Sequence, residues 1–407
     1  MNKKKIKIFS LSTIYPEKLE STAHYKFVHV LNKELVKLGN DVKVITHHTK
    51  GSLANETMDS VLVKRFRYLP KKYELDSTSI TELISRSKSS RMKVIIMMTG
   101  FFVSTFFECL KEKPDILHAH WAFPAGFIAF IMSKIFRKKC VVTIHGGIGL
   151  LRKFRLLKRI VTYGLNHSLV IAVSSYTKDE LIRLGVKNEN IIRIYVTPAF
   201  VKHVSKEEFL ERFRRKFTDT SHKIILFVGR LVELKGVEYL IRSLLQIKDA
   251  QVHLIIVGSG ILLDQLKNMT KSLGLENKVT FFGNATREEV GWLYDISDIF
   301  VCPSIIDSEG VTDQMPLVIP EAMESRLPVI ATSVGGIVDV VKNDVNGLLV
   351  EQKNPTAIAK AIERIISNKE LEKRIIKNSQ ETVKEFLPET IARQHFEIYQ
   401  KLINKKS

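Results

Sequence analysis

Arg230 and Lys235 bracket a short loop, GRLVELKG, between a strand-like run, Ile224–Val228, and an apolar helical stripe that starts at Val237. A guanidinium can clamp two phosphate oxygens while an ammonium adds a point charge. Gly229 lets backbone approach a ligand, and the following helix start favours an anion. Together these fit a diphosphate; read alone, both cations are equally explained as solvated loop residues. Three further loops follow strand-like runs: Gly258-Ser259-Gly260, the stretch CPSIIDSEGVTDQMPLVIPEAM, and SVGGI with Gly335 and Gly336. The second of these holds Asp307, Glu309 and Asp313, and Glu321 after Pro320. Carboxylates of this kind accept hydrogen bonds from sugar or ribose hydroxyls. Glu321 could equally cap a helix.

In the first half, HAHW (His118, His120) and TIHGG (His145) each end a strand-like run. Their spacing is not a metal-ligand pattern and no carboxylate shares a helical register with them, so no metal is expected. The adjoining stretch LLRKFRLLKRIVTY, if helical, sets Leu150, Phe154, Leu157 and Val161 on one face and Arg152, Arg155 and Arg159 on another. That pattern fits a basic helix lying on a membrane, or a core helix with a solvated charged face.

These loops need strands to hold them. Strand-like runs alternate with helical stripes along the chain: KIKIFS, DVKVIT, CVVTI and SLVIAV in the first half, and IILFV, HLIIV, VTFF, DIFV and PVIA in the second. The alternation predicts parallel sheets covered on both faces, one Rossmann-like α/β domain per half. A length of 407 residues accommodates two domains at about 150 residues each. The boundary is expected between Thr197-Pro198 and Ser221, giving domains 1–200 and 201–388, with Lys202 to Lys216 as a helix or linker. Residues 355–406 read as consecutive helices that break near Asn368 and Pro388.

The net charge of +20 is one-sided: residues 1–200 carry 34 Lys and Arg against 15 Asp and Glu, the rest 29 against 28. A basic first half implies an anionic partner there, a nucleic acid or an anionic membrane. No aromatic-interleaved basic strands or nucleic-acid module occur, which argues against nucleic acid. The longest uncharged apolar run, Val94–Phe107, has fourteen residues, short of the roughly 20 needed to span a bilayer. No apolar signal core follows Met1. Cys109, Cys140 and Cys302 form neither a disulfide framework nor a zinc pattern. A cytoplasmic protein is expected, peripheral at most on the inner face of the cell membrane.

Taken in order, GRLVELKG, CPSIIDSEGVTDQMPLVIPEAM and SVGGIVDVV with NGLLV, supported by HAHWAFPAGF and VVTIHGG, resemble the retaining family-four glycosyltransferases of GT-B fold. The resemblance covers nearly the whole chain. It implies two Rossmann-like domains facing across a cleft, the first for the acceptor and the second for a nucleotide-sugar, UDP- or GDP-linked. The C-terminal helix, about 389–407, is expected to pack back on the first domain. Arg230 and Lys235 match the residues used on the donor diphosphate, with Gly229 and Gly258 beside them, in place of a divalent metal or other cofactor. Glu321 matches the second Glu of a Glu-x7-Glu motif and falls to the ribose, with Met315, Pro316, Leu317 and Val318 near the donor. Asp313 occupies the first Glu position, about 1.5 Å shorter, and Glu309 is expected to share its task. His145 matches the His that faces the reacting sugar, and His120 and the three arginines face the acceptor or membrane. Two departures stand out: no Gly lies between Met1 and Gly39, so backbone contact from Ser21–Tyr25 is in question, and Thr197-Pro198 replaces an Asn-Gly at the junction. The expected activity is sugar transfer with retention to a lipid-linked or cell-surface glycan acceptor. The alternative is a nucleotide-sugar epimerase of the same fold, which needs no acceptor.

Overall fold

The apolar runs become strands of two parallel sheets in a computed structural model, which describes residues 5–17, 26–74, 87–149, 151, 154–200, 223–248 and 252–404. Two units result, Met1–Thr197 with Leu387–Ser407, and Pro198–Phe386. The expected linker Lys202–Lys216, Ser21–Tyr25 and Arg152 lie outside the described residues.

In the first unit the strands are β1 (Lys7–Leu11), β2 (Asp41–His47), β3 (Asn55–Met58), β4 (Val61–Phe66), β5 (Ile116–His120), β6 (Lys139–Ile144), β7 (Leu169–Ala172) and β8 (Ile191–Arg193). They run in the order β3-β4-β2-β1-β5-β6-β7-β8. Every pairing is parallel except β3 with β4. Asp59 and Ser60, both at positive φ, close that hairpin, as a two-residue turn matching strand twist requires. The strand order reverses between β1 and β5, where a ligand crevice is expected in a doubly wound sheet.

The fourteen-residue apolar run is the middle of a 25-residue helix, Lys88–Glu112, capped by Ser87. Counting only uncharged residues understated it: 24 of its residues are long and apolar enough, by length and composition, to cross a membrane. Val94, Met97, Phe101 and Cys109 nonetheless belong to the unit's core.

In the second unit β9 (Lys223–Val228), β10 (Val252–Val257), β11 (Val279–Gly283), β12 (Ile299–Cys302), β13 (Val329–Thr332) and β14 (Leu348–Val350) form the order β11-β10-β9-β12-β13-β14, parallel throughout. This is the dinucleotide-fold order, with its switch point between β9 and β12. Val237, Leu240 and Ile241 of helix Val237–Ser243 are buried, as the stripe predicts, while Leu245 is exposed beyond the helix end.

Helices Pro355–Ser367 and Lys369–Val383 start at Asn354 and Asn368, whose side chains accept from backbone amides three residues on. The last helix, Pro388–Asn404, belongs to the first unit: Tyr399 Oη lies 2.7 Å from His118 Nδ1 on β5.

Candidate active site

At the second unit's switch point, the loops leaving β9 and β12 are packed against each other. Glu233–Lys235 form one 3₁₀ turn, and the next position is glycine for two reasons: Gly236 has φ +60, and a Cβ there would stand 2.1 Å from the Pro303 carbonyl oxygen. The turn aims Lys235 at Asp313, 78 residues later, and its Nζ donates to both carboxylate oxygens at 2.8 and 2.9 Å. Ser304 Oγ also donates to Asp313 Oδ2. Both ion-pair partners are mostly buried, so the pair is a fixed feature of the loop cluster, unlike an exposed bridge that samples many geometries.

The glycines of SVGGI hold the Asp313 backbone from behind. Gly335, at φ +55, admits the Asp313 carbonyl oxygen to 2.1 Å from where its Cβ would be, and Gly336 N donates to that oxygen at 3.0 Å. Gly258 has a similar packing reason: at φ +127, its Cβ would stand 2.0 Å from the Gly229 carbonyl oxygen. Gly229 and Gly258 are thus brought together as neighbouring loop backbones. Arg230 is exposed beside them.

Glu321 is not a cap. It lies in the fourth position of helix Val318–Glu324, its amide donates to the Leu317 carbonyl, and no side chain caps that helix. Its buried carboxylate instead accepts from Arg287 Nη2 at 3.0 Å and from Tyr294 Oη at 3.3 Å. Burial pushes the carboxyl above its ordinary range, against the opposing pull of Arg287 and Tyr294. Arg287 also donates to the Ala199 carbonyl, tying the start of the unit to this carboxylate. Met315, Leu317 and Val318 are half-buried and Pro316 is buried, in the turn connecting Asp313 to Glu321. Glu309 is exposed, on a loop that Asp307 closes by accepting from the Glu309 and Val311 amides.

The first unit's strand ends carry a different chemistry. His120 Nδ1 lies 3.0 Å from His145 Nε2, with the rings stacked at 5.2 Å. Phe27 and Trp121 flank His145 at centroid distances of 4.7 and 4.9 Å. Behind them, His118 Nε2 meets Thr143 Oγ1 at 2.8 Å, and His395 stands over the His118 ring. Burial, reinforced by the neighbouring imidazoles, holds His118, His120 and His145 well below their ordinary pKa, so they are neutral at pH 7. Among the described residues no group of three or more His, Cys, Asp and Glu could hold a metal. The three cysteines are buried and free.

The basic segment near residue 155 is helical over Arg155–Asn166, with Arg155 and Arg159 exposed. Of the apolar face expected for it, Val161 is buried and Leu157 packs on the core, Phe154 is exposed just before the helix, and Leu150 lies outside the described residues; Leu156, Ile160 and Tyr163, off that face, are exposed as well.

Comparison with known proteins decides the family. Residues 26–196 match the profile of Glycosyltransferase Family 4 and residues 209–382 that of Glycosyl transferases group 1. An uncharacterised glycosyltransferase of Methanocaldococcus jannaschii is 32% identical over 305 residues, covering 71% of this chain and 75% of the relative. The chain belongs to the glycosyltransferases. Sucrose-phosphate synthase of Thermosynechococcus elongatus superposes with TM-score 0.78 at 21% identity, over 98% of this chain and 100% of that one. Anabaena HepE in complex with UDP gives 0.75 at 20%, over 97% and 100%. The glycosyltransferase is thus of GT-B type, and the epimerase alternative is not favoured.

Sequence reasoning about this glycosyltransferase missed Arg287, Tyr294 and Ser304, which are spread over three elements and carry no local signature. His395 and Tyr399, four apart on one helix, were readable as a pair on one face.

Proposed function

We propose that this glycosyltransferase moves a sugar from a nucleotide-sugar to a lipid-linked or cell-surface glycan acceptor, with retention at the anomeric carbon and without a metal. The Lys235–Asp313 pair at the second unit's switch point carries the reading. Its ammonium is already oriented by a carboxylate and by a loop that cannot move without breaking the glycine contacts. A donor diphosphate there would find Lys235 and the exposed Arg230, and these cations would stabilise charge on the departing nucleoside diphosphate. Asp313 then acts first by positioning Lys235. Glu321, fixed by Arg287 and Tyr294, is offered to the ribose. Gly229, Gly258 and Met315–Val318 complete the donor surroundings. The first unit takes the acceptor, with His120 and His145 at its strand ends. Anabaena HepE, of the same fold, is described in complex with UDP-glucose, which supports a uridine diphosphate sugar as donor over the guanosine-linked alternative. The basic first half supports action at the inner face of the cell membrane.

The test is a thermal-shift screen against UDP-, GDP-, ADP- and CMP-sugars with EDTA present. A ligand that binds only native protein raises the melting temperature. The expected result is a shift with one nucleotide class that EDTA does not reduce. A shift that EDTA abolishes would contradict metal independence, and no shift with any donor would contradict the donor assignment.

A further inference from the structure

A soluble helix ordinarily turns charges to water on the face opposite its core stripe. Helix Lys88–Glu112 does not. Its core stripe of Val94, Met97, Phe101 and Cys109 rests on the first unit's sheet. On the other side Met92, Ile95, Val103, Phe107 and Leu110 are exposed, Met92 at 59% and Phe107 at 61%. From Met92 to Leu110 this apolar ridge runs about 27 Å at 1.5 Å per residue. Helix Phe127–Ile135 packs against it and in turn against helix Arg155–Asn166, so the three form one layer. The third helix adds Leu156, 72% exposed, with Ile160 and Tyr163 at helical spacing.

The charges around this ridge are mainly of one sign. Among the described residues, segments 89–112, 127–138 and 154–166 hold nine Lys and Arg and two carboxylates, Glu108 and Glu112. Both carboxylates are turned toward the sheet, where Lys43 donates to each and Lys64 donates to the buried Glu108. We propose that this layer is a docking surface for an anionic phospholipid bilayer. The exposed aliphatic and aromatic side chains enter the acyl boundary while the cations reach the headgroups. A second copy of the chain is the poorer occupant, because a two-fold interface would set these cations against their own equivalents. The helix lies on the bilayer and does not span it, since its other side is the unit's core.

The inference rests on the proposed action at a membrane surface, not on the donor assignment. The test is flotation of the full chain with phosphatidylcholine vesicles, with and without phosphatidylglycerol, beside sedimentation analysis of its oligomeric state. The parent should float with the anionic vesicles. Ile95→Gln/Val103→Gln/Phe107→Gln should lower that binding at least roughly tenfold, as expected when buried apolar contacts are lost. Its melting temperature and its nucleotide-sugar shift should stay as in the parent. Arg155→Glu/Arg159→Glu should weaken binding to anionic vesicles and leave binding to neutral ones unchanged. Parent-like flotation of the triple variant would overturn the proposal. So would a parent dimer that the triple variant makes monomeric with no vesicle binding by either. A donor-site failure reads separately: Lys235→Ala should float as the parent does while losing its donor shift.

Discussion

The two units share a sheet topology but finish their strand ends in opposite ways. In the second, the switch point is occupied by ions held in pairs: Lys235 by Asp313, and Glu321 by Arg287. In the first, the equivalent region is a stack of neutral imidazoles and aromatic rings with no carboxylate partner in the stack among the described residues. The pairs keep charge available, at low mobility, for an anionic ligand. The stack keeps charge out, and ionising it would cost burial energy. The same fold therefore offers one end suited to a diphosphate and another suited to neutral, hydroxyl-rich or apolar chemistry.

Three changes would break or sharpen this contrast. The largest effect belongs to Lys235→Met, which should lower sugar transfer at least about 100-fold, as for removal of one charge-stabilising group. It should also cost about 1–3 kcal/mol in urea denaturation, because Asp313 is left mostly buried without its cation. Adding Asp313→Asn should restore much of that stability and none of the activity. If the single variant were fully stable, the pair would not be the structural anchor described here.

The next concerns the first unit. Burial holds His47 and His395 down to about 4, and the stacked histidines well below their ordinary value. Unfolding returns each to about 6.5, so between about pH 4 and 6.5 the unfolded chain binds more protons. Stability is then fully present above that window and is lost as pH falls through it. Melting temperature should drop accordingly, and His395→Leu should flatten the slope by about 1.4 kcal/mol per pH unit. An unchanged slope would mean His395 is not buried neutral.

The smallest effect separates two glycines. Gly335→Ala combines positive φ with a clash against the Asp313 carbonyl and should cost about 1–3 kcal/mol. Gly147→Ala, at φ +77 with its nearest neighbour, Trp121 Cδ1, at 4.0 Å, should cost about 1 kcal/mol from backbone strain alone. Equal costs in thermal unfolding would remove the distinction between a packed and an open strand end.

Much of the fold was legible because buried parallel strands read as apolar runs and their helices as stripes. The short strands β3, β8 and β14 were not, since three or four residues with mixed exposure carry no period. The site residues were legible as motifs, but their partners were not. Lys235 and Asp313 lie 78 residues apart and Arg287 and Glu321 34 apart, so only the tertiary fold brings them together. Glu321 read equally as a cap or a ligand because Pro320 suggests a helix start, whereas the helix begins two residues earlier, at Val318. The outward apolar ridge was hidden for a related reason: charged residues at both ends of Val94–Phe107 looked like boundaries and are instead part of the same helix.

The claim that the paired-ion end of the second unit is the donor site is tested most directly by calorimetric titration of UDP and GDP into the parent and into Lys235→Met/Asp313→Asn. The double variant removes the ammonium without stranding a carboxylate, so its fold is kept. Loss of one charge-assisted contact to phosphate predicts affinity at least about tenfold weaker for the nucleotide the parent prefers, at a melting temperature near the parent's. Parent-like affinity in a folded double variant would contradict the account.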